Sequence, residues 1–150
     1  MKKIHFSIFI KAPKEKVWDT MLADSTYREW TEAFNSGSYY RGSWEEGSKI
    51  LFLGPDPKGG GEAGMVSRIK KNDPYKFISI EHLGIVVNGV EDTTSDEAKK
   101  WAPAYENYTF EEKDGGTELS VDMDIADELV HEFDEMWPRA LETLKELCEK

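Results

Sequence analysis

The stretch from Asp127 to Lys150 constrains the fold more than any other part of the chain. Apolar side chains recur at Leu129, Val130, Phe133, Met136, Trp137, Ala140, Leu141, Leu144 and Leu147. That i, i+3, i+4, i+7 spacing is the stripe of one long amphipathic helix. Apart from one early helical region, everything before it reads as β-strand. A helix that follows antiparallel strands has to bury its stripe against their sheet. A curved sheet gripping one helix leaves room for a cavity, and such cavities hold ligands. Pro138 removes the helical bond to residue 134, but the stripe stays in phase across it. The expectation is a kinked, continuous helix.

The strands are read from alternation and turns. Ile4, Phe6, Ile8 and Ile10 make a first strand with one covered face. A helix over 13–22 follows, with Val17, Trp18, Met21 and Leu22 on its apolar side and Pro13 in its first turn. Asp24 or Ser25 caps a second short helix carrying Tyr27 and Trp30. Strands are expected at 38–44, 48–53, 62–71 and 75–83, with an apolar continuation over 84–87. Glu46-Gly47 and Asn72-Asp73-Pro74 read as turns, and 54–61 as a flexible glycine- and proline-rich loop. The acidic 88–103 segment reads as an insertion with a helical turn around Asp96–Trp101. Strands 105–113 and 116–124 form the clearest hairpin, turning at Asp114-Gly115. In its register Phe110 faces Leu119, Tyr108 faces Val121, and Glu106 faces Met123. The result is an α+β chain: a curved antiparallel sheet of six to seven strands around a long C-terminal helix, with two short helices after the first strand. All 150 residues fit one domain, which at this length buries roughly 70% of its unfolded surface.

Composition acts mainly by exclusion. The net charge of −11 repels phosphate backbones, which argues against nucleic acid and anionic membranes as partners. No apolar run approaches the roughly 18 residues of a membrane span. The basic start Met1-Lys2-Lys3 leads into an alternating strand, not the apolar core of a signal peptide. The lone Cys148 has no internal bridging partner, so a reducing, cytoplasmic setting is expected.

Several local motifs occur together in a fixed order. They are Ile10-Lys11-Ala12-Pro13-Lys14-Glu15-Lys16-Val17-Trp18, Tyr27-Arg28-Glu29-Trp30, Gly42-Ser43-Trp44-Glu45-Glu46-Gly47-Ser48, Gly64-Met65-Val66, Gly115-Gly116-Thr117-Glu118-Leu119, and Trp137 through Leu147. Together they span nearly the whole chain. The chain resembles the START-like superfamily (SRPBCC, the helix-grip fold), and within it the stand-alone bacterial homologues of the activator of the heat-shock chaperone ATPase. The resemblance implies the helix-grip fold and an apolar pocket. It also implies roles that differ by branch: lipid or polyketide binding, cyclisation or hydrolysis, or stimulation of a chaperone partner. None of the motifs is a catalytic signature, and fold resemblance does not settle function.

The chemistry-bearing residues are few. His5, His82 and His131 share no metal-ligand spacing with one another or with Cys148, so no metal or other cofactor is expected. Two residues could act as a general base. His82 shares a strand face with Ile78 and Ile80, and imidazole shuttles protons near neutrality. Glu106 shares the inner face with Tyr108 and Phe110, where a carboxylate is costly unless paired. The alternatives are a core-edge histidine bonded to backbone or water, and a Glu106 at the open sheet end, in water or paired with Arg68 or Arg139. Gly-x-Ser-x-Gly and Gly-Lys-Ser/Thr are absent. The expected ligand-contacting wall is Ile80, His82, Glu106, Tyr108, Phe110, Leu119, Val121 and Met123 from the strands, and Phe133, Trp137 and Leu141 from the long helix. Trp30 and Trp101, each ending a segment beside a loop, are placed at the cavity mouth. The leading expectation is non-covalent binding of a small hydrophobic or amphipathic molecule, with a pocket enzyme and a chaperone-directed module as alternatives.

Overall fold

Alternation of apolar and polar side chains drives β1 (Lys2–Ile10), in which Ile4, Phe6, Ile8 and Ile10 take the covered face. The computed structural model describes residues 1–56 and 58–150; Pro57, within the expected 54–61 loop, lies outside the described residues. α1 (Lys14–Leu22) buries Val17, Trp18, Met21 and Leu22. α2 (Asp24–Trp30) follows after the single residue Ala23. That short junction leaves no position for the expected side-chain cap. Asp24 is already helical, and it pairs with Arg28 one turn on at 3.1 Å.

Strands β2 (Tyr39–Gly42), β3 (Lys49–Pro55), β4 (Glu62–Asp73), β5 (Phe77–Val87) and β6 (Val90–Asp92) come next. Then follow α3 (Asp96–Lys99), β7 (Ala104–Lys113), β8 (Gly116–Ile125) and α4 (Val130–Glu149). The strands form one sheet in the order β1-β8-β7-β5-β4-β3-β2, with β6 beside the second half of β5. All its pairings are antiparallel. β4 persists to Asp73, so the turn into β5 is Pro74-Tyr75-Lys76, two residues later than expected, with Tyr75 at φ 66°.

The sheet has eight strands, not six or seven. The additional one comes from the segment read as a polar insertion. Asn88 and Gly89 both adopt positive φ, 51° and 75°, and fold β6 back onto β5. A Cβ at Gly84 would lie 2.2 Å from the Asp92 carbonyl oxygen, so glycine permits this close approach. Ser95 caps α3 by accepting the Ala98 N–H at 3.1 Å, which gives the helical turn expected near Asp96.

The β7–β8 register is Glu106↔Met123, Tyr108↔Val121 and Phe110↔Leu119, as the turn at Asp114-Gly115 dictates. α4 packs over β1 and against α1 and α2, burying Trp137, Ala140, Leu141, Leu144 and Cys148. The helix continues through Pro138 without a break. Pro138 and Asp134 are both exposed, so the Asp134 carbonyl that loses its helical donor faces water. Among the described residues, no helix is long and apolar enough to cross a membrane.

Leu144 is fully buried, whereas its neighbour Glu142 is exposed on the outer face of α4. Leu144→Ala is expected to cost about 2–5 kcal/mol of stability in urea unfolding. Glu142→Ala should stay within about 0.5 kcal/mol of the parent. Equal effects would mean that the helix packs through another face.

Candidate functional site

A cavity of about 230 Å³ lies between the inner face of the sheet, α2 and α4. Its wall is built by alternation. Inward positions of β5 give Ile80 and His82, those of β7 give Ala104, Glu106 and Tyr108, and β8 gives Met123 and Ile125. The helical side is Tyr27 and Trp30 from α2, and Phe133 and Trp137 from α4. Trp101 reaches it from the segment after α3.

Nine of the expected wall residues therefore come together: Trp30, Ile80, His82, Trp101, Glu106, Tyr108, Met123, Phe133 and Trp137. Four do not. Phe110, Leu119, Val121 and Leu141 are buried in the core and lie outside the cavity wall. The cause is α1, which packs on β7 and β8 and sets Trp18 against Phe110 at 5.1 Å between ring centroids. That fills the end of the hairpin nearer its turn, and the cavity stays at the other end.

Sequence reasoning also left out part of the wall. Phe34, Trp44, Phe52 and Met65 line the cavity. The alternation of Ile50 and Phe52 on β3 was the available signal for Phe52. The others depend on tertiary placement.

The wall is largely apolar and carries one polar pole. His82 Nε2 lies 3.1 Å from Glu106 Oε1. The Tyr108 hydroxyl donates to Glu106 Oε2. Behind the imidazole, His82 Nδ1 lies 2.7 Å from the hydroxyl of Ser67, which is fully buried. With Glu106 ionised, Nε2–H donates to the carboxylate, and the Nδ1 lone pair accepts from Ser67. The imidazole is thus fixed from both sides. Arg68, one of the expected partners of Glu106, sits on the opposite face and pairs with Glu81. There it holds the Glu81 carboxyl below its ordinary value. Ser67 is opposite His82 in the β4–β5 register, beside a shift in that register between Val66 and Ser67. Bulges of this kind re-aim side chains.

The remaining charges near the cavity are compensated. Asp124 accepts from Lys3 Nζ at 2.7 Å and from the Tyr105 N–H at 3.0 Å. These bonds draw its carboxyl below the ordinary range in spite of partial burial. Among the described residues, no group of three or more His, Cys, Asp or Glu side chains is placed to hold a metal ion.

A family model described as Activator of Hsp90 ATPase homolog 1-like protein matches residues 11–149. The chain belongs to that family. Protein MLL2253 from Mesorhizobium loti has a similar fold, with a TM-score of 0.71 at 15% identity over 97% of this chain and 96% of that one. Aha1 from Colwellia psychrerythraea, solved as a dimer in solution, gives a TM-score of 0.69 at 21% identity, covering 99% and 97%. Protein CV1439 from Chromobacterium violaceum gives 0.70 at 20%, covering 99% and 97%. At these identities the likeness concerns fold alone. No curated protein matches the chain.

Burial, and then the charge of Glu106, pushes the Tyr27 and Tyr108 hydroxyls well above the ordinary phenol value of 10.0. In the unfolded chain both ionise above about pH 10, while the folded state keeps their protons. Their contribution to stability is therefore whole below that pH and falls as pH rises further. Urea unfolding across this alkaline range should show the decline. Tyr108→Phe should make it shallower, whatever the variant's stability at neutral pH.

Proposed function

We propose that the protein binds a small amphipathic molecule in this cavity, without covalent chemistry. The observation that carries the proposal is a fixed polar pole, His82–Glu106–Tyr108, in a wall lined mostly by aromatic and aliphatic side chains. Such a wall takes up the apolar body of a ligand by burial, while the pole fixes its orientation. A cavity of about 230 Å³ falls below the roughly 300–1,000 Å³ of drug-sized sites, which limits the ligand to a small one. The proposed contacts are Trp30, Ile80, Trp101, Met123, Phe133 and Trp137 for the body, and His82, Glu106 and Tyr108 for the polar group. The test is titration with small aromatic probes, followed by intrinsic tryptophan fluorescence. One-to-one binding is expected. Ala104→Phe, which fills the wall beside His82, should abolish it with the fold retained. Binding that survives Ala104→Phe would put the probe elsewhere.

One observation favours a second reading, in which the site catalyses proton transfer. His82 is held between Ser67 and Glu106, and a base oriented in this way is what general-base catalysis requires. A substrate panel run with the parent, His82→Ala and Glu106→Gln separates the readings. Turnover lost in either variant, with probe affinity and fold retained, would make the protein an enzyme. A chaperone-directed role, which the family's description offers, would act through the outer surface and survive Ala104→Phe.

A further inference from the structure

The charge and composition of the cavity say more about the ligand than its shape does. Glu106 is, among the described residues, the carboxylate of the wall that no lysine, arginine or terminal ammonium pairs with. Among the described residues, its basic neighbour within ion-pairing distance is His82, at 3.1 Å. The Tyr108 hydroxyl donates to one oxygen of Glu106 and the His82 Nε2 lies against the other, which spreads the negative charge over the pole. Asp124, the other carboxylate of the wall, is taken by Lys3 at 2.7 Å. The N-terminal ammonium of Met1, a residue of the wall, stands 3.5 Å from Asp127. A carboxylate held among apolar groups without a counter-charge is costly, and that cost falls when a cation arrives.

The wall offers a cation a second attraction. Tyr27, Trp30, Trp44, Phe52 and Trp137 present aromatic rings around the same space. Several of these rings meet at a tilt or edge-on: Tyr27 and Trp30 at 78°, Trp44 and Phe52 at 54°. Rings at differing angles give a cation more than one π-face, and an aromatic cage with a nearby carboxylate is the chemistry that recognises organic ammonium groups. An anionic ligand would meet the Glu106 carboxylate, and among the described residues no lysine or arginine lines the wall to receive it.

We infer that the cavity is selective for a small organic cation, an amine or quaternary ammonium attached to an apolar body, with Glu106 as the counter-charge. This rests on the binding reading above and narrows its ligand class. The test uses three probes of similar body and different charge: phenyltrimethylammonium, its uncharged isostere tert-butylbenzene, and phenylacetate. Titrations are run at roughly 0.15 M salt, so that the net negative surface is screened. The expected order is phenyltrimethylammonium tightest, by about tenfold over tert-butylbenzene, with phenylacetate weakest. Glu106→Gln should erase the cation's advantage over tert-butylbenzene. If Glu106→Gln does not fold, the ranking in the parent decides alone. Equal or weaker binding of the cation, or an advantage that survives Glu106→Gln, overturns the inference and leaves the binding reading standing. Binding of none of the three probes overturns both.

Discussion

A single indole, that of Trp137, is the point where the long helix, the sheet and the helix pair meet. It stacks on Phe6 of β1 at 5.9 Å and contacts Phe34, Trp30 and Tyr108 at centroid distances of 4.8, 6.2 and 6.2 Å. Aromatic pairs at such separations add to the burial of their area. Because these partners come from three segments far apart in sequence, Trp137 fixes how far α4 stands off the sheet. That stand-off keeps a space open on one side of the indole, while the packed core of Leu141, Leu144 and Cys148 closes the other.

The polar pole is stable for reasons of pairing. Glu106 sits on an inward strand position, where an unpaired carboxylate would be strongly unfavourable. Two donors, from His82 and Tyr108, make it tolerable, and Ser67 completes the set by occupying the far nitrogen of the imidazole. The four side chains come from three neighbouring strands, β4, β5 and β7, so sheet hydrogen bonding positions them, not loop conformation. Sites carried on regular elements hold their geometry better than sites carried on loops.

Much of this was legible in the residues. The apolar stripe of α4 and the Asp114-Gly115 turn define the helix and the β7–β8 register, and with that register the inward face of Glu106, Tyr108 and Met123. Alternation tells which face of a strand is covered but not what covers it. Phe110, Leu119 and Val121 are on the same face as Glu106, yet α1 lies over them, and no local pattern reports where α1 docks. Ser67 was hidden for a similar reason, since its pairing with His82 requires the β4–β5 register and its irregularities. The strand β6 was a different kind of omission. Asn88-Gly89 is a strong hairpin signal, and the acidic composition of the surrounding segment masked it.

The wall of the cavity is assembled from two sources. The pole belongs to the paired strands, whereas Trp101 is carried by the segment that Gly84 allows to fold tightly over β5. Changes of length or sequence between Asp92 and Pro103 can therefore reshape the cavity beside Trp101 while strand pairing still sets the positions of Ser67, His82, Glu106 and Tyr108. Such a chain can vary the size of its cavity while the strand register keeps the four polar side chains together.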